Sequence, residues 1–215
     1  MSRGKFILIE GLDCSGKTTL QKELVNLMNN NDHKAMRKKE PTDSHVGKLI
    51  KKVINNEEKM DPDILQYLFF VDRFNNYTEI LHGIIDIITT STFSVVCDRG
   101  FLSNVTYQGI NYYDTKEYMN KIIEIRDINL RLMEYVLKPD YVFYIDTPLG
   151  IIENRLRERR NRDIFENHDD LEKASKVFKD VIKLFNDSGL VNIHILDGTK
   201  SAKQLAEECY IMMRL

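Results

Sequence analysis

An eight-residue segment near the amino terminus has the residue types and the spacing of a phosphate-binding loop. Gly11 to Thr18 read Gly-Leu-Asp-Cys-Ser-Gly-Lys-Thr, which fits G-x-x-x-x-G-K-[ST], and they lie between a short apolar run and a segment of helical spacing, as the motif requires. The glycines let backbone N–H groups turn towards a phosphate, Lys17 can bridge the terminal phosphates, and Thr18 can hold Mg²⁺. An ordinary glycine-rich turn with a surface lysine is the alternative. The predicted donor-nucleotide residues here are Gly11, Leu12, Asp13, Cys14, Ser15, Gly16, Lys17, Thr18 and Thr19.

A second candidate lies at the end of another apolar run, where residues 93–97 lead directly into Asp98. A buried strand that ends beside the phosphate loop would place this carboxylate where it can orient Mg²⁺, usually through water. An acid in this position can also simply end a strand, but the phosphate loop and the following Arg99 favour the first interpretation. The sequence therefore predicts a magnesium site formed by Thr18 and Asp98.

Five arginines crowd one short segment in the second half of the chain. They are Arg155, Arg157, Arg159, Arg160 and Arg162, and three of them fall at i, i+4 and i+7 on one helical face. Like charges at this density repel one another unless a polyanion neutralises them. We therefore expect the segment, at about 153–167, to be a lid that closes over polyphosphate. A solvated basic helix face, partly neutralised by neighbouring acids, is the alternative.

Two further segments predict a pocket for a nucleoside monophosphate. An aromatic pair, Phe69 and Phe70, precedes Arg73 by about one turn, so that a base could stack on a ring while the arginine engages the phosphate or the base. Plain core packing is the alternative for such aromatics. The stretch 100–113 has no charged residue but many side-chain donors and acceptors, as a base-reading wall requires. Its candidate residues are Ser103, Asn104, Tyr107 and Gln108.

The elements that must hold these residues alternate between strands and helices. Apolar, β-branched runs predict strands at 6–9, 93–97, 141–145 and 192–196 and a weaker one at 34–38, and helical spacing predicts helices at 18–29, 64–88, 117–137, 171–185 and 202–213. Such alternation favours a parallel sheet covered on both faces. We therefore expect a three-layer α/β/α fold with a five-stranded parallel sheet, formed by one domain over residues 1–215.

Composition and charge exclude or disfavour several classes of protein. The chain has 215 residues, of which 42% are hydrophobic, and this is enough for one substantial core and excludes global disorder. Its 31 basic and 33 acidic residues give a net charge of -2, which argues against a nucleic-acid partner. The three widely spaced cysteines suggest neither a disulfide framework nor a zinc site. Because no apolar stretch approaches the roughly 18 residues of a membrane span, we expect a cytoplasmic protein without a membrane partner.

The motifs together resemble those of the thymidylate kinases, nearly from end to end. Besides the phosphate loop, the resemblance rests on motifs that follow the strands and on motifs within the helices and the lid. These are Glu40-Pro41-Thr42-Asp43-Ser44, Phe69 to Arg73, Asp98-Arg99 with Ser103, Tyr107, Gln108 and Gly109, Pro139-Asp140, Arg162 to Glu166, and Asp197-Gly198-Thr199. The resemblance implies the phosphate-loop kinase fold, transfer of the γ-phosphate of ATP to dTMP for dTTP synthesis, Mg²⁺ as cofactor, and a homodimer.

The same resemblance implies roles for individual residues. Arg73 and Arg99 would bind the dTMP phosphate, and Phe69 or Phe70 would stack on thymine. Asn104 and Gln108 would contact the base edge, and Tyr107 and Asp13 would border the sugar. Lys39, Pro41 and Ser103 would also belong to the substrate site. Asp13 would hold the sugar 3′-hydroxyl or the metal site. The catalytic residues would be Asp13, Lys17, Arg99, Arg159, Arg160 and Arg162, and Arg155 and Gly198 would border the donor nucleotide.

Three positions depart from the family pattern. Gly100 follows the Asp-Arg pair where an aromatic residue is common, and Lys39 replaces the arginine that commonly precedes Glu40-Pro41. Cys14 stands where some members have an arginine in the phosphate loop, so the chain resembles the class that supplies its catalytic arginine from the lid. Two alternatives remain at this point: another small phosphate-loop kinase acting on a deoxynucleoside or a pyrimidine monophosphate, or a nucleotide-binding regulatory module without activity.

Overall fold

The computed structural model describes residues 4–88, 93–158 and 168–214, and these ranges form five strands and eight helices. The strands are β1 (Phe6–Gly11), β2 (Ala35–Lys39), β3 (Ser94–Asp98), β4 (Tyr141–Asp146) and β5 (Ile193–Asp197). The helices are α1 (Lys17–Asn30), α2 (His45–Ile54), α3 (Pro62–Ile88), α4 (Phe101–Gly109), α5 (Tyr118–Tyr135), α6 (Leu149–Arg157), α7 (His168–Asp187) and α8 (Ala202–Met213). Among these, no helix has the length and apolarity that a membrane span requires.

All five strands are parallel and lie in the order β2-β3-β1-β4-β5. Side chains of β1 alternate between two hydrophobic cores: Ile7 and Ile9 pack with α1 and α8 on one face, whereas Phe6 and Leu8 pack with α4 and α7 on the other. A strand buried on both faces is the signature of a parallel sheet covered by two helical layers. The predicted three-layer fold with a five-stranded parallel sheet is confirmed.

Three helices of the structure, α2, α4 and α6, are not among the helices predicted from the sequence. All nine residues of α4 are buried, and a helix that is buried all round has no polar face from which a period of 3.6 could be recognised. The uncharged stretch after Gly100 is therefore a helix packed between the sheet and helices α5 and α7.

The parallel sheet brings the candidate residues to one edge. The segments after β1, β2, β3, β4 and β5 all leave the carboxyl ends of their strands, where open α/β sheets bind their ligands. The phosphate loop, Asp98-Arg99 and Gly198 therefore lie close together although they are distant in sequence.

Candidate active site

A cavity of about 770 Å³ lies at this edge of the sheet. Its described lining includes the phosphate loop from Asp13, the segment after β2, parts of α2, α3 and α4, and the segment that leads into α8. The charged lining residues are seven bases and three acids, namely Lys17, Lys39, Lys51, Arg73, Arg99, Arg155 and Lys200, and Asp13, Glu40 and Asp98. A cavity this positive, in a chain whose net charge is -2, suits a polyanionic ligand.

Backbone conformation explains the two glycines of the phosphate loop. Gly11 and Gly16 have φ angles of 148° and 107°, which side chains with a Cβ rarely adopt. A Cβ at Gly11 would also lie 2.8 Å from Ser15 Oγ. The loop thus turns sharply out of β1, and α1 begins at Lys17 with its N-terminal N–H groups at the cavity.

Lys17 is buried at the first position of α1, and its Nζ donates to the Leu12 carbonyl at 2.5 Å. Burial and, to a smaller extent, the nearby charge of Arg99 lower the pKa of Lys17 to about 8, although nearby acids such as Asp13 oppose them. A group in this state gains strongly from an anion beside it, because the anion favours the charged form.

Thr18 and Asp98 form the pair that the magnesium prediction requires. Thr18 Oγ1 donates to Asp98 Oδ2 at 2.5 Å, while Asp98 Oδ1 is buried and has no hydrogen-bond partner among the described residues. A buried carboxylate oxygen without a partner is costly, and it is suited to accept from a water held by a metal ion. The described residues contain no cluster of three or more His, Cys, Asp or Glu side chains for a metal, so an ion here would rely on Thr18, Asp98 and ligand oxygens.

Asp13 links the phosphate loop to α4. One of its carboxylate oxygens pairs with Arg99 Nη2, and the other accepts from the Tyr107 hydroxyl at 2.7 Å. The guanidinium of Arg99 also lies over the Tyr107 ring, 5.3 Å from its centroid, and Nη1 donates to Ser103 Oγ at 3.3 Å. Burial disfavours the charge of Arg99, but Asp13, Tyr107 and Asp98 together outweigh that effect and raise the pKa of the guanidinium. A cation is therefore fixed at the centre of the cavity wall.

Arg73 is 1% exposed, and every nitrogen of its guanidinium has a protein partner. Nε donates to Glu40 Oε2 at 2.9 Å, and Nη2 lies 2.7 Å from the same oxygen and donates to the Gly100 carbonyl at 3.0 Å. Nη1 donates to Asn104 Oδ1 at 3.0 Å and to Asn129 Oδ1 at 2.7 Å. Arg73 thus lines the cavity as the centre of a polar network, and a phosphate contact by Arg73 stays a prediction.

The structure distinguishes among the other sequence candidates. Phe69 lines the cavity, whereas Phe70 packs against the large core that contains α4. Gln108 is buried and is not part of the described cavity lining, although Asn104 and Tyr107 are. The remaining predicted residues that line the cavity are Cys14, Ser15, Gly16, Thr19, Lys39, Pro41, Ser103 and Gly198. Gly11 and Leu12 begin the phosphate loop but are not among the described residues that line the cavity.

Several residues at the site were not predicted from the sequence. Lys51 of α2 lines the cavity, and so do Lys200 and Ser201 before α8. Glu10 is fully buried below the wall, where its carboxylate accepts from Leu102 N at 3.0 Å and from Ser103 Oγ at 2.5 Å, and burial raises its pKa. A helical amphipathic reading of residues 45–54 could have pointed to Lys51, but Glu10 has no signal beyond its place at the end of an apolar run.

Only the beginning of the predicted lid falls within the described residues. Arg155 lies on α6 and lines the cavity, and its Nη1 donates to the Cys14 carbonyl at 2.9 Å. Arg157 is the last residue of α6. Arg159, Arg160 and Arg162 lie outside the described residues.

Comparisons with known proteins agree on one family. A family model described as thymidylate kinase matches residues 9–209. A probable thymidylate kinase of Methanococcus aeolicus is 33% identical over 83% of this chain and 79% of its own length, and a thymidylate kinase of Brachyspira hyodysenteriae is 28% identical over 96% and 91%. Among solved structures, the thymidylate kinase of Candida albicans has a similar fold, with a TM-score of 0.75 and 21% identity over 100% of this chain and 93% of that one.

Proposed function

We propose that this chain, which belongs to the thymidylate kinase family, transfers the γ-phosphate of ATP to dTMP and releases ADP and dTDP. The observation that carries the proposal is the single cavity that joins a phosphate loop to a wall of uncharged polar side chains. Phosphoryl transfer needs both substrates in line within one water-poor space. A cavity that held a nucleotide at the phosphate loop alone would not need the second wall.

At the donor end, Lys17 and the N–H groups of the phosphate loop would hold the β- and γ-phosphates. The lysine is already within the loop, bonded to the Leu12 carbonyl, so little reorganisation is needed when the phosphates arrive. Preorganised charge of this kind is commonly the largest contribution to rate. Lys200 and Ser201, next to Gly198, would border the adenosine portion.

Mg²⁺ is the cofactor that the donor end would take. Thr18 would bind it directly, and Asp98 would orient it through its oxygen that lacks a protein partner. The bound ion would neutralise charge on the β- and γ-phosphate oxygens.

At the acceptor end, we assign the phosphate of dTMP to Arg73 and Arg99, with the lysines Lys39 and Lys51 beside them. Phe69 would stack on thymine and Asn104 would contact its edge, while Tyr107 and Asp13 would border the sugar. The fixed Asp13–Tyr107 bond leaves a rigid ring and carboxylate beside the site. Such rigidity suits selection for deoxyribose, because a rigid wall can reject a 2′-hydroxyl that has no space.

The catalytic arginine is assigned to the lid. Arg155 already reaches the Cys14 carbonyl at the loop position that has no cation of its own. The charge that develops on the transferred phosphoryl group would be met by Arg159, Arg160 or Arg162, with Arg99 as the remaining candidate. We also assign the lid to about 153–167 within a single domain over 1–215.

A homodimer is supported by an apolar stripe along α3. Ile64, Tyr67, Val71 and Phe74 are 55%, 52%, 43% and 43% exposed, and their spacing of three, four and three residues places them on one helical face. Exposed apolar side chains in such a row are typical of a contact surface.

We also propose a cytoplasmic location. The buried Cys97 and Cys209 are free thiols, and a reducing compartment keeps thiols in this state.

An acceptor panel tests the function. ADP production is measured with ATP and Mg²⁺ in the presence of dTMP, thymidine, UMP or CMP, with Lys17→Ala as the inactive reference. Preorganised charge at the transferring group is worth about 10²- to 10³-fold in rate, so the variant should lose at least that much. The proposal predicts the largest kcat/KM for dTMP. A larger kcat/KM for another acceptor would identify that acceptor, rather than dTMP, as the substrate. Wild-type turnover by folded Lys17→Ala protein would refute the assignment of the donor site.

A further inference from the structure

The side chain of Gln21 joins the helix that follows the phosphate loop to two strands of the sheet. Gln21 lies on α1 and is 4% exposed. Its Nε2 donates to the Lys38 carbonyl of β2 at 2.5 Å and to the Val96 carbonyl of β3 at 2.8 Å. One amide group therefore uses both of its hydrogens to hold two neighbouring strands under α1.

The Thr18–Asp98 pair lies close to this clamp on both of its sides. On α1, Thr18 precedes Gln21 by three residues, so the two side chains are neighbours on the helix surface. On β3, Val96 precedes Asp98 by two residues, so their side chains point to the same face of the sheet, and Val96 packs in the core that α1 covers. The bond of 2.5 Å from Thr18 Oγ1 to Asp98 Oδ2 therefore spans the same gap between helix and sheet.

The two amide bonds of Gln21 give α1 a defined position that its apolar contacts do not. Leu20 and Leu24 bury α1 against the sheet, but hydrophobic contacts have no preferred direction. A sliding or turning of α1 that broke either amide bond would leave a buried polar group unsatisfied, which costs about 1–3 kcal/mol. The same movement would separate Thr18 from Asp98.

We infer that Gln21 is a positioning residue for the metal, because it holds α1 over β2 and β3 and thereby fixes the distance between Thr18 and Asp98. The inference rests on the proposed function, in which these two residues bind and orient Mg²⁺. The phosphate-loop motif ends at Thr18 and does not include Gln21. Metal affinity should therefore depend on a side chain whose two hydrogen bonds go to the backbone of the sheet.

The decisive variant is Gln21→Met, which keeps the length of the side chain and removes its donor. Mn²⁺ is the probe, because it takes oxygen ligands as Mg²⁺ does and free Mn²⁺ can be measured by electron paramagnetic resonance. In the presence of ADP we expect the variant to bind Mn²⁺ about tenfold more weakly, as loss of the outer contacts of a metal site does. Its affinity for ADP in EDTA should stay unchanged. Gln21→Glu sets an oxygen against the carbonyl oxygens in the same shape, and the same loss is expected of it if Gln21→Met does not fold.

Asn29→Ala is the matched control, because Asn29 ties the other end of α1 to the start of β2. Its Oδ1 accepts from Ala35 N at 2.9 Å, and its Nδ2 donates to the Ala35 carbonyl at 3.1 Å. This variant also loses two bonds between α1 and β2, so it should lower the melting temperature. We expect it to bind Mn²⁺ as wild type does.

An Asp98→Ala background tests whether Gln21 acts through the pair. Residues that act together are not additive, so Gln21→Met should weaken Mn²⁺ binding no further when Asp98 is absent. Gln21 is merely structural if Gln21→Met binds Mn²⁺ as wild type does, if Asn29→Ala loses as much affinity, or if the loss persists in full in the Asp98→Ala background. If Asp98→Ala alone keeps the wild-type affinity for Mn²⁺, the magnesium assignment itself is overturned.

Discussion

Lys17 is a cation buried in the phosphate loop, and its pKa of about 8 lies well below the ordinary value of 10.5. Between these two values the unfolded chain binds more protons at this residue than the folded chain does. The free energy of unfolding must therefore gain a contribution from Lys17 as the pH rises from about 8 to 10.5. Below pH 8 that contribution is absent, and the buried charge weakens the ligand-free protein.

Lys17→Met isolates this contribution because it keeps the chain length of the side chain without the charge. At pH 7 we expect the variant to gain about 1–3 kcal/mol from the removed charge, less a constant loss from the missing bond to the Leu12 carbonyl. Urea unfolding at pH 7 to 10 should then show wild type gaining stability relative to the variant with rising pH. A constant difference across this range would mean that Lys17 titrates normally in the folded chain.

Lys51 is a cation at the acceptor end, and the contact of its side chain within the described ranges is a surface ion pair. Its Nζ lies 2.6 Å from Asp43 Oδ1, and the Asp43 side chain is 95% exposed. Such pairs are weak, so Lys51 can exchange Asp43 for a phosphate. Lys51→Ala should raise the KM for dTMP several-fold and leave the KM for ATP nearly unchanged.

Lys52→Ala is the matched control for Lys51. Lys52 is the next residue of α2, pairs with Glu58 at 3.1 Å, and is not among the described residues that line the cavity. Steady-state kinetics with both substrates varied should therefore separate the two variants. Equal effects of the two substitutions on dTMP would assign Lys51 to the surface rather than to the acceptor site.

At the scale of elements, the connection from β5 to α8 is packed tightly against the one that follows β4. A Cβ on Gly198 would lie 2.0 Å from Thr147 Oγ1 and 2.8 Å from the Asp146 carbonyl oxygen. Thr147 Oγ1 in turn donates to the Ser15 carbonyl of the phosphate loop at 3.1 Å. Gly198 is therefore required for close approach, and displacement there is transmitted to the donor site.

Gly198→Ala should accordingly lower the stability of the fold by about 1–3 kcal/mol, as overpacking does, and raise the KM for ATP more than that for dTMP. Gly150→Ala is the control, because a Cβ at that position in α6 meets nothing within 4 Å, and alanine favours a helix over glycine. Thermal unfolding and kinetics of both variants check the prediction. An unchanged KM for ATP in Gly198→Ala would separate this connection from the donor site.

At the scale of the whole molecule, the apolar stripe of α3 is the feature that predicts assembly. Val71→Asp would place a charge in the centre of the stripe, where a buried and unpaired carboxylate strongly opposes association. We expect sedimentation velocity to record a dimer for wild type and a monomer for this variant. Ile211→Asp on α8, where the native side chain is 73% exposed, should leave the dimer intact. If both variants sediment as wild type does, the interface lies elsewhere.

The sequence by itself determines the features whose physics is local. The phosphate loop needs glycine at two backbone positions, a lysine and a threonine within eight residues, and these requirements can be read directly from Gly11 to Thr18. Alternating apolar runs and helical segments likewise determine the layered parallel sheet, because each strand is buried on both faces. The predicted fold and family are confirmed on this basis. α4 is missed for a local reason too, since a wholly buried helix shows no polar face.

Tertiary structure alone decides which of the remaining residues act together. Arg73 meets Asn104 and Asn129 across 31 and 56 residues of chain, and Phe69 rather than Phe70 reaches the cavity because of how α3 is rotated against α2. A buried donor must find an acceptor wherever packing places one, so the partner is selected by the position of whole helices. No pattern in the sequence carries that position, and for this reason the network around Arg73 emerges only from the folded chain.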